Sequence, residues 1–368
     1  MYKIAILFSC SLLLYFAPSR AQKSTIDSVI QEAASFYMKD ASRVGLSIGI
    51  LYRGSTSTYH YGTTEKGENK LPSDKTFYEI GSITKTMTGT LLAQAVVDEK
   101  AGAEDDIRKY LDSPYTNLEY NGHAIQLVHL LNHSSGLPFM LPDSSELFRD
   151  PDYDSLPFIL DSIERDYTQQ RFFKDLRKVK IDTVPGIKLK YSNAAAQLLG
   201  FLLERIYDMP YEKLINKYIS EPLNMPDTKL TLSERDRKYL ARGYNGNGLL
   251  MPYTRSGAAG GVYATVKDML NYAMFQMDED NPVVKLSHSP TWGDIRYYAM
   301  GLNWQMQDKD DEPRKIFQSG GTAGFCSFLI LFPELDFAAV LLANESDENS
   351  QGKLSETAHK IVNFLVIK

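Results

Sequence analysis

The sequence is poor in cysteine, with two in 368 residues. One of these, Cys10, falls in an opening stretch that reads as a leader, so Cys326 is left without an intrachain partner. Disulfides therefore cannot staple the fold, and its stability has to come from the core. Runs of basic residues are also missing. Lysine and arginine number 40 against 46 acidic residues, and loss of Lys3 and Arg20 with the leader carries the formal charge from −6 to −8. That balance argues against nucleic acid or an anionic membrane surface as partner and leaves a small-molecule or peptide substrate. Beyond the leader there is no repeat period, no low-complexity tract and no apolar run of about 20 residues, which speaks against a solenoid and a membrane span.

What is present begins with Lys3, an apolar run over residues 4–17 and the small-residue ending Ser19-Arg20-Ala21. This is the pattern of a secretory signal peptide over residues 1–21, with the mature chain starting at Gln22 and exported to the periplasm or outside the cell. Cys10 is not placed as a lipid-attachment site, because the apolar run continues past it through Leu12, Leu13 and Leu14. The product is expected to be a monomer without a stable membrane anchor.

Residues 25–39 carry Ile26, Val29, Ile30, Ala33, Ala34 and Tyr37 at helical spacing. Residues 44–53 and 56–61 are rich in β-formers around Gly54-Ser55 and predict an antiparallel hairpin. Strand-like runs return at 297–306, 325–332 and 337–342, followed by a helix over 354–364. Between them the pattern is helical, with Leu91, Leu92, Ala95 and Val96 on one face and Leu198, Leu199, Leu202 and Leu203 on another. Residues 22–368 therefore read as one α/β (α+β) domain, an antiparallel sheet flanked by helices and built from both ends of the chain. The sheet lobe takes 22–81 and 274–368, and an all-helical lobe is inserted over 82–273. The cleft between lobes is the expected site.

Ser82-Ile83-Thr84-Lys85 is an S-x-x-K motif. At the start of a helix it puts a hydroxyl and an amine one turn apart on the same face. Burial lowers a lysine pKa, and a neutral amine can take the serine proton. A second copy, Ser350-Gln351-Gly352-Lys353, lies in a polar stretch and reads as a solvated helix start. Tyr191-Ser192-Asn193 follows Pro185-Gly186 and precedes an alanine-rich helix, offering a phenol as proton shuttle and an amide to bind substrate. Tyr115-Thr116-Asn117 repeats that short pattern, which by itself fits a core tyrosine with a helix-capping asparagine equally well. His129 and His133 are four apart but lack the glutamate of H-E-x-x-H, so a structural role at a helix end is expected. Cys326 reads as a small core residue. No metal or organic cofactor is implied.

The segment from Thr76 to Gly89, with Ser82-Ile83-Thr84-Lys85 at its centre, resembles the nucleophile region of class C β-lactamases and the related penicillin-binding-protein-like esterases and peptidases. The likeness continues through Leu130-Leu131-Asn132-His133-Ser134-Ser135-Gly136-Leu137-Pro138, Pro185-Gly186 to Asn193, Glu221-Pro222-Leu223-Asn224-Met225, Ala259-Gly260-Gly261-Val262-Tyr263 and Gly320-Gly321-Thr322-Ala323-Gly324-Phe325. The resemblance implies a β-lactamase/transpeptidase-like fold and hydrolysis of an amide or ester through an acyl-enzyme. By motif position Ser82 becomes the nucleophile, Lys85 and Tyr191 share general-base duty, and Asn193 orients the substrate. The backbone N–H groups of Ser82 and Gly321 form the oxyanion hole. Implied substrates are D-amino-acid peptides, small esters and β-lactams. The chain departs from the family at Gln318-Ser319-Gly320, where lysine or histidine usually precedes a hydroxyl residue or glycine and then glycine. Lys315 is no substitute, since strand alternation puts 315 and 318 on opposite faces. Gln318, Ser319 and Gly320 are expected to bind substrate, with the Gln318 amide donating to a carboxylate without charge. The competing reading is a catalytically weakened protein that binds peptidoglycan peptides in the same cleft.

Overall fold

The computed structural model describes residues 20–365, so the expected leader lies outside the described residues except for its last two. An eight-stranded sheet is built from β1 (Gly45–Tyr52), β2 (Ser55–Gly62), β3 (Trp292–Asp294), β4 (Tyr298–Met300), β5 (Gln305–Gln307), β6 (Lys315–Gly321), β7 (Cys326–Phe332) and β8 (Phe337–Ala343). Its order is β2-β1-β8-β7-β6-β5-β4-β3, and every neighbouring pair is antiparallel. Strands from the two ends of the chain thus meet at β1 and β8, where Ile48 pairs with Leu341.

Alternation along the central strands feeds two cores at once. Leu46, Ile48, Ile50, Phe328, Ile330 and Leu341 pack under α1 (Arg20–Met38) and the closing helix, which meet them with Ile30, Ala34, Tyr37, Leu354, Ala358 and Ile361. Leu51, Leu329, Leu331, Val340 and Leu342 face the other way, toward Val266, Met269 and Leu270 of a helix spanning Val266–Gln276. The expected border at residue 273 falls inside that helix, which packs on the sheet. Gly49 makes its approach possible, since a Cβ there would lie 2.8 Å from Leu270 Cγ.

The helical part centres on α2 (Thr84–Val97), which is buried on nearly every side. A short α3 (Leu156–Arg165) and α4 (Gln169–Leu176) precede α5 (Asn193–Tyr207), whose Leu198, Leu199, Leu202 and Leu203 face the core. The helix at Val266–Gln276 is α6 and the closing helix, Ser350–Leu365, is α7.

Two sequence expectations change. The single strand over 297–306 is two short ones, because the chain turns at Gly301–Trp304, with Gly301 N–H donating to the Trp304 carbonyl and Asn303 at φ 62°. The serine of the second S-x-x-K is not solvated, although Gln351 and Gly352 are exposed. Ser350 is fully buried and its Oγ accepts from Arg43 Nη1 at 2.7 Å. Arg43, also buried, lies 3.6 Å from Glu345 and 3.1 Å from Asp347, while Glu345 accepts from the Tyr37 hydroxyl and from Val44 N–H. This network ties α1 and β1 to the start of α7.

Removing one partner of a buried ion pair leaves the other charge uncompensated. Arg43→Met is therefore expected to cost about 3 to 5 kcal/mol. Adding Glu345→Gln should return part of that loss in urea unfolding. Losses that simply add would show that the two side chains do not share one network.

Candidate active site

Ser82 sits in a 3-10 turn, Gly81–Ile83, immediately before α2 rather than inside it. The first N–H groups of such a turn have no partner within it, so the Ser82 N–H is left for another acceptor. The turn is pressed against the end of β6. Gly81 has φ +51°, and a Cβ on it would lie 2.6 Å from Gly321 N. Gly320 is tighter still, since its Cβ would come within 2.1 Å of the Ile80 carbonyl and 3.0 Å of Ser82 N. Gly320 is buried and so brings strand and turn together; it is not a cleft-lining contact. Thr322 N–H donates to the Phe325 carbonyl, closing the β6–β7 turn. Antiparallel alternation then turns the Gly321 N–H away from β7, toward the side where β5 has ended.

One helical turn after Ser82, Lys85 reaches back so that Nζ lies 2.9 Å from Ser82 Oγ and donates to the Ala259 carbonyl at 2.5 Å. Its side chain is wholly buried, and it forms no ion pair among the described residues. Burial brings the amine down to about 7 from an ordinary 10.5. At neutral pH a large share of the molecules carries a neutral amine here.

Tyr191 arrives from the segment that enters α5, capped by Ser192, whose Oγ accepts from Ala195 N–H. Its hydroxyl lies 2.5 Å from Ser82 Oγ, and Lys85 Nζ is 4.8 Å from its ring centroid. Tyr191 is 37 % exposed, and burial, offset in part by the Ser82 hydrogen bond, pushes its hydroxyl up to about 12. The phenol therefore holds its proton at neutral pH. Asn193, the first residue of α5, lines the same cleft, and its side-chain amide meets no hydrogen-bonding partner among the described residues.

The tyrosine is braced by His133, whose ring stacks on it at 4.3 Å. His133 Nδ1 faces Ser192 N–H and Nε2 lies 2.9 Å from Asn303 Oδ1, so the proton sits on Nε2. Burial first, and then the Lys85 charge, hold this imidazole down to about 3, and it stays neutral. His133 thus acts on the site through Tyr191. His129 caps the start of its own helix through Gln126, as a structural residue would.

Gln318 is 3 % exposed, with its amide turned inward. Nε2 donates to the Asn303 carbonyl at 2.6 Å, while Oε1 accepts from Gln305 Nε2 and from Ser319 N–H, both at 2.9 Å. Those bonds occupy the carbonyl end and one of the two amide N–H groups, and Gln318 still lines the Ser82 cleft. Ser319 lies on the cleft and donates to Gln351 Oε1 at 3.0 Å. Gln351 reaches the site from α7. Sequence reasoning missed it because it belongs to the S-x-x-K copy read as solvated. The Ala259 carbonyl had a visible signal in the Ala259-Gly260-Gly261 block, though not its role as lysine acceptor. Asn117 is not at the site; it donates to the Leu176 and Val179 carbonyls.

The geometry can therefore activate a hydroxyl, return a proton and receive an oxyanion at one point. Comparison with known proteins agrees with this chemistry. The chain is 24 % identical to the D-alanyl-D-alanine-carboxypeptidase/endopeptidase AmpH of Escherichia coli K12, over 98 % of this chain and 95 % of that one. It is 24 % identical to a beta-lactamase of Lysobacter lactamgenus, over 91 % and 92 % respectively. A crystal structure of a beta-lactamase/D-alanine carboxypeptidase from Yersinia pestis, complexed with citrate, superposes with a TM-score of 0.79 at 25 % identity, covering 95 % of this chain and all of that one. The family model described as Beta-lactamase matches residues 30–363, a span that holds the whole sheet and every residue of the cleft, and the chain belongs to that family of serine hydrolases.

Proposed function

We propose that the protein is an exported hydrolase that cleaves D-amino-acid peptides or small esters through an acyl-enzyme on Ser82. The observation that carries this reading is the sharing of Ser82 Oγ between an unpaired buried amine and a protonated phenol. Lys85 takes the Ser82 proton as Oγ attacks the carbonyl carbon. Charge on the carbonyl oxygen is received by the N–H groups of Ser82 and Gly321. As the bond to the leaving group breaks, Tyr191 gives its proton to the departing nitrogen or oxygen and recovers one from Lys85. Water then attacks the acyl carbon, its proton passing through Tyr191 to Lys85 as Tyr191 gives up its own, and Lys85 returns a proton to the displaced Ser82 Oγ. The division of labour differs from shared base duty, because a phenol at about 12 serves as an acid and the amine at about 7 as the base.

Support for the substrate class comes from two sides. The carboxypeptidase and beta-lactamase relatives act on amide bonds, and Gln318, with its amide engaged and no positive charge, lowers the expected preference for β-lactams. A binding protein without turnover would have no need of the complete Ser82–Lys85–Tyr191 proton path, which favours the hydrolase. Export rests on the leader pattern of residues 1–21. No helix among the described residues is long and apolar enough to cross a membrane.

Ser82→Ala should abolish both covalent labelling by a fluorophosphonate and hydrolysis of D-alanyl-D-alanine peptides, whereas Ser350→Ala should keep labelling in whatever fraction folds. Lys85→Ala and Tyr191→Phe should each slow acylation about 100-fold to 10,000-fold. Wild-type rates in both variants would mean that the proton leaves by another path. Because the base must be neutral, kcat/KM should rise with pH through about 7 and then level, with no fall until the phenol approaches about 12. A profile still climbing beyond pH 9 would contradict Lys85 as the base.

A further inference from the structure

Glu79 is a buried acid that takes no part in the proton path. It lies three residues before the nucleophile, in a short strand, Tyr78–Glu79, that pairs antiparallel with Tyr263–Ala264. Only 1 % of the residue is exposed, and it forms no ion pair among the described residues. A carboxyl in such a place is costly unless its oxygens are hydrogen-bonded, and the partners come from separate parts of the site. Oε1 accepts from Thr254 N–H at 2.6 Å and from the Tyr263 hydroxyl at 3.3 Å. Thr322 Oγ1 comes up to the carboxyl from the residue after β6. It and Oε2 are both buried without another partner among the described residues, so each is left to satisfy the other.

These partners lead to working parts of the site. Thr322 follows Gly321, whose N–H is one of the two groups placed to receive charge on the carbonyl oxygen. Thr254 Oγ1 lies 2.8 Å from Ser256 Oγ, the Ser256 carbonyl accepts from Ala259 N–H at 2.8 Å, and the Ala259 carbonyl accepts from Lys85 Nζ. Glu79 itself leads into the turn that carries Ser82. One side chain thus joins the nucleophile's turn, the oxyanion strand and the segment that seats the lysine. Burial pushes its carboxyl up to about 7, against hydrogen bonds from Thr322, Thr254 and Tyr263 that favour the ionised form. Ionisation does not break the link, because a hydroxyl accepts from a protonated carboxyl and donates to an ionised one.

We propose that Glu79 is a positioning residue of the oxyanion hole, holding the Gly321 N–H in register with Ser82 through Thr322. The inference rests on the acyl-enzyme reading and gives the reaction a residue outside the lining of the cleft. Without the link the end of β6 is free to shift, and a displacement of about 1 Å at the reacting centre can cost about 100-fold in rate. The Gly321 N–H acts most strongly on the transition state, so the loss falls on the chemical step and leaves substrate binding nearly unchanged.

The test is single-turnover acylation by an ester, which separates the acylation rate from the substrate Kd, with rates taken per mole of folded protein. Glu79→Leu and Thr322→Val should each slow acylation about 100-fold with Kd little changed. The double variant should be no slower than the slower single one, since both remove the same link. Glu79→Gln, whose amide accepts from Thr254 and donates to Thr322, should return most of the rate. Thr322→Val decides the matter if Glu79→Leu does not fold. A wild-type rate in Thr322→Val, a loss that appears in Kd instead of the rate, or a Glu79→Gln protein that folds and acylates as slowly as Thr322→Val overturns the proposal and leaves the hydrolase reading standing. No acylation of the wild type by any ester or D-peptide overturns the hydrolase reading and this proposal with it.

Discussion

A lysine amine with no carboxylate beside it, sealed between α2 and the turn at Ala259, is the constraint on which the site depends. A charged amine in that position is held back by burial alone, and its fall from 10.5 to about 7 amounts to roughly 4 to 5 kcal/mol at about 1.4 kcal/mol per unit. The fold bears this cost because α2 is enclosed. Met87, Leu91 and Leu92 are fully buried, and Gly89 lies so close to Leu302 that a Cβ would come within 2.4 Å of its carbonyl. The linkage has a definite sign. Above the ordinary lysine range the amine is neutral in both folded and unfolded chains; as the pH falls toward about 7, the unfolded chain takes up a proton that the fold resists, and stability declines.

The second feature of the site is a cation replaced by neutral groups. Where relatives of this pattern are expected to carry lysine or histidine, Gln318 binds the Asn303 carbonyl, Asn303 accepts from His133, and His133 stacks on Tyr191. Every member of that chain is uncharged at neutral pH. Tyr191 is thus fixed in position by packing and hydrogen bonds, and none of these groups puts a positive charge beside its hydroxyl. This agrees with the raised phenol and with Lys85 as the proposed base.

Much of this was legible in the sequence, for identifiable reasons. The antiparallel sheet followed from β-rich runs at both ends, and Ser82 with Lys85 from one-turn spacing. Tyr191 and Asn193 lie more than a hundred residues away, and only the resemblance brought them to the serine. The failures share a cause. Ser350 looked solvated because its neighbours are polar, yet Arg43, from the other end of the chain, buries it. The amide bonds of Gln318 could not be read because Gln305 on the neighbouring strand and Asn303 in a turn meet it only in the fold. Gln351 reaches the cleft by tertiary convergence, which leaves no local periodicity to read. The α6 boundary was misplaced because an apolar helix that covers a sheet has the same pattern as one that packs on helices.

The central claim is that Lys85 is neutral because it is buried and unpaired, and its own titration tests this most directly. Protein labelled with 13C at lysine Cε, with the resonance assigned by its loss in Lys85→Met, reports the protonation of that amine as pH is varied. A midpoint near 7, well separated from the other lysines, is the predicted result. A midpoint near the ordinary 10.5 would show an amine that stays charged at neutral pH and would contradict the assignment of Lys85 as the base.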